Sequence, residues 1–265
     1  MQSWIVMLHG ATQHCGLFIA QESHFRGTHR LLLLDLPGHG KSSNLPGPYG
    51  LAEYAQSVAL ALDEAGVDNA HFWGTHTGAA VGLLLAAENP HRFRSLVLEG
   101  AVLPGLDMPY VTRAVRRAVE TAQRRGLADA RREWFDTAAF FDVIRRDPVA
   151  CRAVQHAAMI DEFGGGPWIA AGSPSPFPDL TGRLSALTTP TLLINGEHDV
   201  NDFRLAAGVL AAKLPRVRRE TVLHAGGFPL WERPHVVNPL VESWLNEIDD
   251  LVDQPGELPP RRPSG

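Results

Sequence analysis

The chain has 265 residues, 45% of them hydrophobic, enough for one large core with an inserted subdomain. A net charge of -5 gives no attraction for nucleic acid or an anionic membrane, and no apolar run reaches membrane-spanning length. Cys15 and Cys151 make no disulfide framework, and no basic leader precedes the first apolar run, so a cytoplasmic protein with a small-molecule substrate is expected; a homodimer is left open.

Six short apolar runs predict buried parallel strands: Trp4 to Leu8, Arg30 to Leu34, Ala70 to Trp73, Ser95 to Leu98, Thr191 to Ile194 and Arg218 to Leu223. Helical patterns lie between them, over Ala52 to Ala65, Gly78 to Glu88, Leu205 to Lys213 and Val236 to Glu247. The alternation predicts a mostly parallel sheet with helices on both faces.

From Leu103 to Thr181 the rhythm breaks. Helical spacing recurs over Val111 to Arg125, Leu127 to Phe141 and Pro148 to Met159, followed by Gly164-Gly165-Gly166-Pro167-Trp168 and a proline-rich return from Pro174 to Pro178. The expected division is a core of residues 1–102 and 182–249, a helical cap over 103–181, and a disordered polar tail over 250–265.

Phe72-Trp73-Gly74-Thr75-His76-Thr77-Gly78-Ala79-Ala80 has the form of a strand, a sharp Gly-x-nucleophile-x-Gly turn and a helix. A serine, cysteine or aspartate is usual at its centre, and here it is a histidine. Thr75 and Thr77 are poor substitutes, because the turn directs their side chains away from the site. His9-Gly10-Ala11 closes the first strand and is read either as an ordinary turn or as a loop that aims the Ala11 N–H at the site. Asp35-Leu36-Pro37-Gly38-His39-Gly40-Lys41-Ser42 is not a phosphate loop, since Asp35 stands where its first glycine should be.

These motifs occur in one order with Gly196-x-x-Asp199 behind a late strand and His224 behind the last, followed by Glu232-Arg233-Pro234. Together, over roughly residues 4 to 247, they resemble the α/β-hydrolase superfamily, of the cap-bearing type that includes esterases and carbon–carbon bond hydrolases. The resemblance implies an α/β-hydrolase fold lacking its first one or two strands. It places His76 in the nucleophile seat, Asp199 as the acid, His224 as the base, and the Ala11 and Thr77 N–H groups as an oxyanion hole. Glu99, at another strand end, is the reserve acid. His9, Phe141, Met159 and Trp168 are candidate substrate contacts, and the aromatic insert suggests a mainly apolar substrate.

An elbow imidazole leaves several chemistries open. His76 could attack an ester and form a labile acyl-imidazole, although its reach crowds the position of the acyl carbon. His76 and His224 could instead form an acid/base pair around a carbonyl compound, as a cofactor-independent lyase, cyclase or decarboxylase requires. A pseudoenzyme that only binds a ligand is the third reading. No cofactor is expected. A metal on His76, Asp199 and His224 is disfavoured, because no helix-borne His-Glu-x-x-His spacing exists and the acid is assigned to an imidazole.

Overall fold

The computed structural model describes residues 2–170, 175–176 and 178–253. Strand and helix alternate as β1 (Trp4–Leu8), α1 (Ile19–Phe25), β2 (Arg30–Leu34), α2 (Leu51–Glu64), β3 (Ala70–Thr75), α3 (Thr77–Glu88) and β4 (Phe93–Glu99). Five helices follow before the next strand: α4 (Pro109–Arg125), α5 (Leu127–Thr137), α6 (Asp142–Arg146), α7 (Ala153–Asp161) and α8 (Gly166–Ile169). The chain then forms β5 (Thr191–Gly196), α9 (Asn201–Lys213), β6 (Val217–Val222), α10 (Pro229–Glu232) and α11 (Pro234–Asp253).

The sheet order is β2-β1-β3-β4-β5-β6, and every neighbouring pair is parallel. β3 and β5 are buried along their whole length, as sheet strands covered on both faces should be. β2 and β6 form the edges and are partly exposed. The strand order reverses at β1 and β3, so the crevice beyond their C-terminal ends is where a ligand site is expected in an open α/β sheet.

Three local departures from the sequence pattern have visible causes. α1 has too few residues to show a period; it is fixed by Gln21, whose Nε2 donates to the Leu230 carbonyl and to Asn238 Oδ1, both at 2.9 Å, and by the buried Phe25. The helix expected over Leu127 to Phe141 stops at Thr137, because Ala138 turns to extended backbone and the Ala139 N–H donates to the Tyr110 hydroxyl at 2.6 Å. This sends Phe140 and Phe141 inward on a separate 3-10 turn. The helix expected from Pro148 begins at Ala153, after Arg152 adopts a left-handed conformation with its guanidinium 3.8 Å over the Trp231 ring.

The tail boundary is corrected. α11 continues to Asp253, past the expected end at residue 249. Asp249 binds Ser3 Oγ at 2.9 Å, His71 Nε2 at 3.0 Å and Arg94 Nη1 at 2.8 Å, which ties the end of the helix to the sheet. Burial pushes this carboxyl up, but His71, Arg94 and Ser3 outweigh it and hold its pKa well below the usual range. Residues 254–265, and part of the proline-rich return, lie outside the described residues.

Candidate functional site

β3 runs into α3 through a single residue, His76, with φ 49° and ψ -108°. A β-carbon-bearing residue in such a region costs about 1–3 kcal/mol, and the surrounding structure must over-determine it. Here the His76 N–H donates to the Glu99 carbonyl at 2.9 Å, and the His76 carbonyl accepts from Ala80 N–H at 3.1 Å. Gly78 is required for the turn, since any side chain there would run into the Leu8 carbonyl of β1.

The imidazole is buried in aromatic surroundings. It stacks on Phe203, with centroids 4.6 Å apart and planes 14° from parallel, and meets Phe228 edge-on at 4.7 Å. Gly10 lies beside its Nδ1 edge and Gly100 beside its Nε2 edge; a β-carbon on Gly100 would come within 2.7 Å of Nε2 and 3.7 Å of Asp199 Oδ2. The bare backbone at Gly100 therefore lets the ring and the carboxyl occupy one region. Nε2 has no hydrogen-bond partner among the described residues. Burial lowers the His76 pKa to about 4, with the facing backbone of Gly227 pulling the other way, so the ring is neutral at pH 7.

Asp199 follows β5 and is buried. Its Oδ2 accepts from Asn195 Nδ2 and its Oδ1 from the Val200 N–H, both at 2.9 Å. Burial raises its pKa to about 7 against those two bonds, with Glu232 adding to the rise. Glu232 is raised to about 7, also by burial, while the bonds it accepts from Gly226 N–H and Phe228 N–H oppose the rise. Glu99, the reserve acid, accepts from the Leu230 N–H at 3.2 and 3.3 Å, and burial holds its pKa well above the carboxylate range. Glu99 and Glu232 thus suspend the segment from Gly226 to Leu230 rather than orient an imidazole.

His224 is corrected. Its side chain is 79% exposed, and its nearest carboxylate is Glu197, with Nδ1 3.8 Å from Oε2, not Asp199. It lies in the turn out of β6, whereas the segment that faces the elbow comes later, where Gly227 and Phe228 approach the His76 ring. The chain carries no imidazole at that point. The expected arrangement of two imidazoles and an acid in one pocket therefore does not assemble; Asp199 and the Gly227 backbone each lie near the elbow imidazole.

The other candidates divide. Ala11, Thr77 and Phe141 line a cavity of about 60 Å³ together with His76, beneath Val111 and Val115 of α4 and Trp134 of α5. The Ala11 and Thr77 N–H groups donate to no protein acceptor among the described residues. His9 is corrected: Nδ1 bonds the Gly10 carbonyl at 2.7 Å and Nε2 accepts from Leu36 N–H at 3.0 Å, so both nitrogens serve the loop. Burial lowers its pKa to about 4. Met159 and Trp168 are buried away from the cavity lining; Trp168 packs edge-on against Trp134 and Phe163.

Phe203, Phe228, Phe140 and Trp134 also line the cavity, and none of them is among the candidate contacts above. Phe228 carries no signal in the sequence, because its loop is set by Glu232, which accepts from the amides at 226 and 228.

Among the described residues, no helix is long and apolar enough to cross a membrane. Comparison with known proteins agrees with this architecture. The chain is 26% identical to a 2-hydroxy-6-oxononadienedioate/2-hydroxy-6-oxononatrienedioate hydrolase of Cupriavidus pinatubonensis, over 91% of this chain and 86% of that one. It is 30% identical to a 2-succinyl-6-hydroxy-2,4-cyclohexadiene-1-carboxylate synthase of Pectobacterium atrosepticum, over 78% and 82%. A thermophilic esterase from Thermogutta terrifontis superposes with a TM-score of 0.80 at 22% identity, covering 94% of this chain and 91% of that one. These relatives are enzymes. Residues 3–234 match the α/β hydrolase fold family, and the chain belongs to it.

Proposed function

We propose that the chain is a cofactor-independent enzyme of the hydrolase type that uses His76 as a non-covalent general base on a small, mainly apolar carbonyl compound. The supporting observation is that His76 is the imidazole lining the cavity, beside Ala11 and Thr77, among the described residues. The helices between β4 and β5 act as its cap, contributing Val111, Val115, Trp134, Phe140 and Phe141.

A covalent route is disfavoured on this geometry. A nucleophilic His76 would need a second acid/base group to protonate the leaving group, and His224 faces solvent. As a base, His76 is unprotonated at pH 7, and Asp199 lies past Gly100 from its Nε2 edge. A carboxylate there stabilises the imidazolium that forms when the ring takes a proton from water or from an acidic C–H. The carbonyl oxygen of the substrate would sit at the free N–H groups of Ala11 and Thr77, the latter at the start of α3, where helix amides favour developing negative charge. Both a hydrolase and a synthase occur among the named relatives, so water and carbon acids are both suitable proton sources for this reading.

The test is a panel of aryl esters, lactones and 1,3-dicarbonyl compounds. Turnover that falls about a hundredfold or more in His76→Ala, stays unchanged in His224→Ala, and leaves no acyl adduct on quenched protein by mass spectrometry is the expected result. An adduct on His76 would replace the base reading with the covalent one. Ligand binding without turnover is the second reading, favoured by a cavity of only about 60 Å³. It prevails if ligands bind in a His76-dependent way and none is consumed.

A further inference from the structure

His224 has no place in the His76 site, yet it is not isolated. Its ring, the His198 ring and the Glu197 carboxylate each offer one ligand atom, and the three atoms lie within 4.8 Å of one another. His198 Nε2 is 3.7 Å and His224 Nδ1 is 3.8 Å from Glu197 Oε2. Zinc bonded to nitrogen and oxygen at about 2.0–2.1 Å in a tetrahedron sets its ligand atoms about 3.3–3.5 Å apart. Two of the observed separations are therefore within a few tenths of an ångström of that value, and rotation of two exposed rings closes the rest.

The backbone already holds the two contributing loops in register. Glu197 N–H donates to the Val222 carbonyl at 2.9 Å, His198 N–H to the Ala225 carbonyl at 2.8 Å, and His224 N–H to Glu197 Oε2 at 2.9 Å. His224 takes a positive φ of 58° in this arrangement. Neither ring makes a side-chain hydrogen bond to another partner among the described residues, and no lysine or arginine pairs with Glu197 there. Two imidazoles with one carboxylate suit a first-row divalent transition ion, while magnesium and calcium prefer all-oxygen sets.

We propose that Glu197, His198 and His224 form a surface site for a divalent transition metal of the zinc type, with solvent completing the coordination. The site bridges the loop after β5 to the loop after β6. Those loops carry Asp199 on one side and the cavity-lining Phe228 on the other, so an ion here ties together two segments beside the His76 cavity.

The probe is cobalt(II), titrated into the whole chain free of any polyhistidine tag. The expected result is visible d–d absorption saturating at one equivalent, displaced by zinc, and lost in His198→Ala/His224→Ala. Zinc should also raise the midpoint of thermal unfolding of the wild type and leave that of the double variant unmoved, since an ion that binds only the folded state stabilises it. The exposed positions of both rings keep the double variant folded. Absence of cobalt absorption in the wild type overturns the proposal. So does a spectrum that survives in the double variant, which would place the ion elsewhere, for instance on His14, Cys15 and Asp35.

Discussion

The His76 imidazole lies flat on the Phe203 ring, with centroids 4.6 Å apart and planes 14° from parallel. Phe203 sits in the first turn of α9, four residues after Asp199, so one loop-to-helix junction supplies both the carboxyl and the aromatic face that flank the elbow ring. The stacking excludes water from one side of the imidazole and contributes to the burial that lowers its pKa to about 4. Phe203→Ala should therefore raise the His76 pKa toward its ordinary value, read as a shift of the ring-proton titration by NMR. Truncation of a buried phenylalanine also costs about 3–5 kcal/mol, so the titration belongs well below the variant's unfolding temperature.

Asp199 sets the second prediction. Burial raises its pKa to about 7, so it gains its charge near neutrality. Any rate that depends on His76 taking a proton should rise with pH through about 7, and Asp199→Asn should remove that limb and lower the plateau. Stability carries the same signature with a fixed sign. The folded state holds the proton up to about pH 7, whereas an unfolded aspartate releases it near 3.8. Wild-type stability gained from this group is full below about pH 4 and is lost as pH rises to about 7, so Asp199→Asn gains on the wild type across that window. Denaturant melts of both proteins at pH 5 and pH 8 check the direction.

The sheet was legible in the sequence because each central strand is buried on both faces and reads as a continuous apolar run. Ile5 to Leu8 and Leu192 to Ile194 are buried in the structure as that pattern requires. The elbow was legible for a different reason, since Gly74 and Gly78 answer to close backbone contacts that fix their spacing. The last loop was not legible. Its geometry depends on Glu99 and Glu232, which bind amides from Gly226 to Leu230 across long sequence separations, and a histidine near the strand end drew the assignment three residues too early. The separation of Phe140 and Phe141 from α5 was hidden likewise, because it rests on one hydroxyl from another helix, Tyr110.

Gly227 gives the third prediction. The backbone there faces the elbow ring, and Asp199 Oδ2 lies near the Nε2 edge of that ring, beside Gly100. His76→Ser alone should yield no esterase, because a serine at the elbow has no imidazole to take its proton. His76→Ser with Gly227→His should produce burst kinetics on an aryl ester, by bringing a serine, a histidine and Asp199 into one region. A β-carbon at 227 would approach the Phe140 carbonyl oxygen to 2.6 Å, so the double variant should also be less stable, by about 1–3 kcal/mol. A single serine variant as active as the double one would show that another base is within reach.

His156 of α7 provides the last prediction. It is fully buried between Phe228 and Trp231, with ring centroids 4.9 and 5.2 Å away, and neither of its nitrogens has a hydrogen-bond partner among the described residues. An orphaned buried polar group costs about 1–3 kcal/mol, so His156→Phe should stabilise the fold wherever the larger ring can be seated. The pH dependence separates this from a simple packing change. Burial, aided by His76 and Arg152, lowers the His156 pKa to about 3, whereas an unfolded histidine takes a proton near 6.5. Acid therefore favours the unfolded wild type as pH falls from about 6.5 toward 3, and phenylalanine has no such liability. The advantage of His156→Phe should be smallest above pH 7 and widen steadily below pH 6, as measured by urea midpoints at matched ionic strength. An advantage independent of pH would mean that His156 binds its proton equally well in the folded and the unfolded protein.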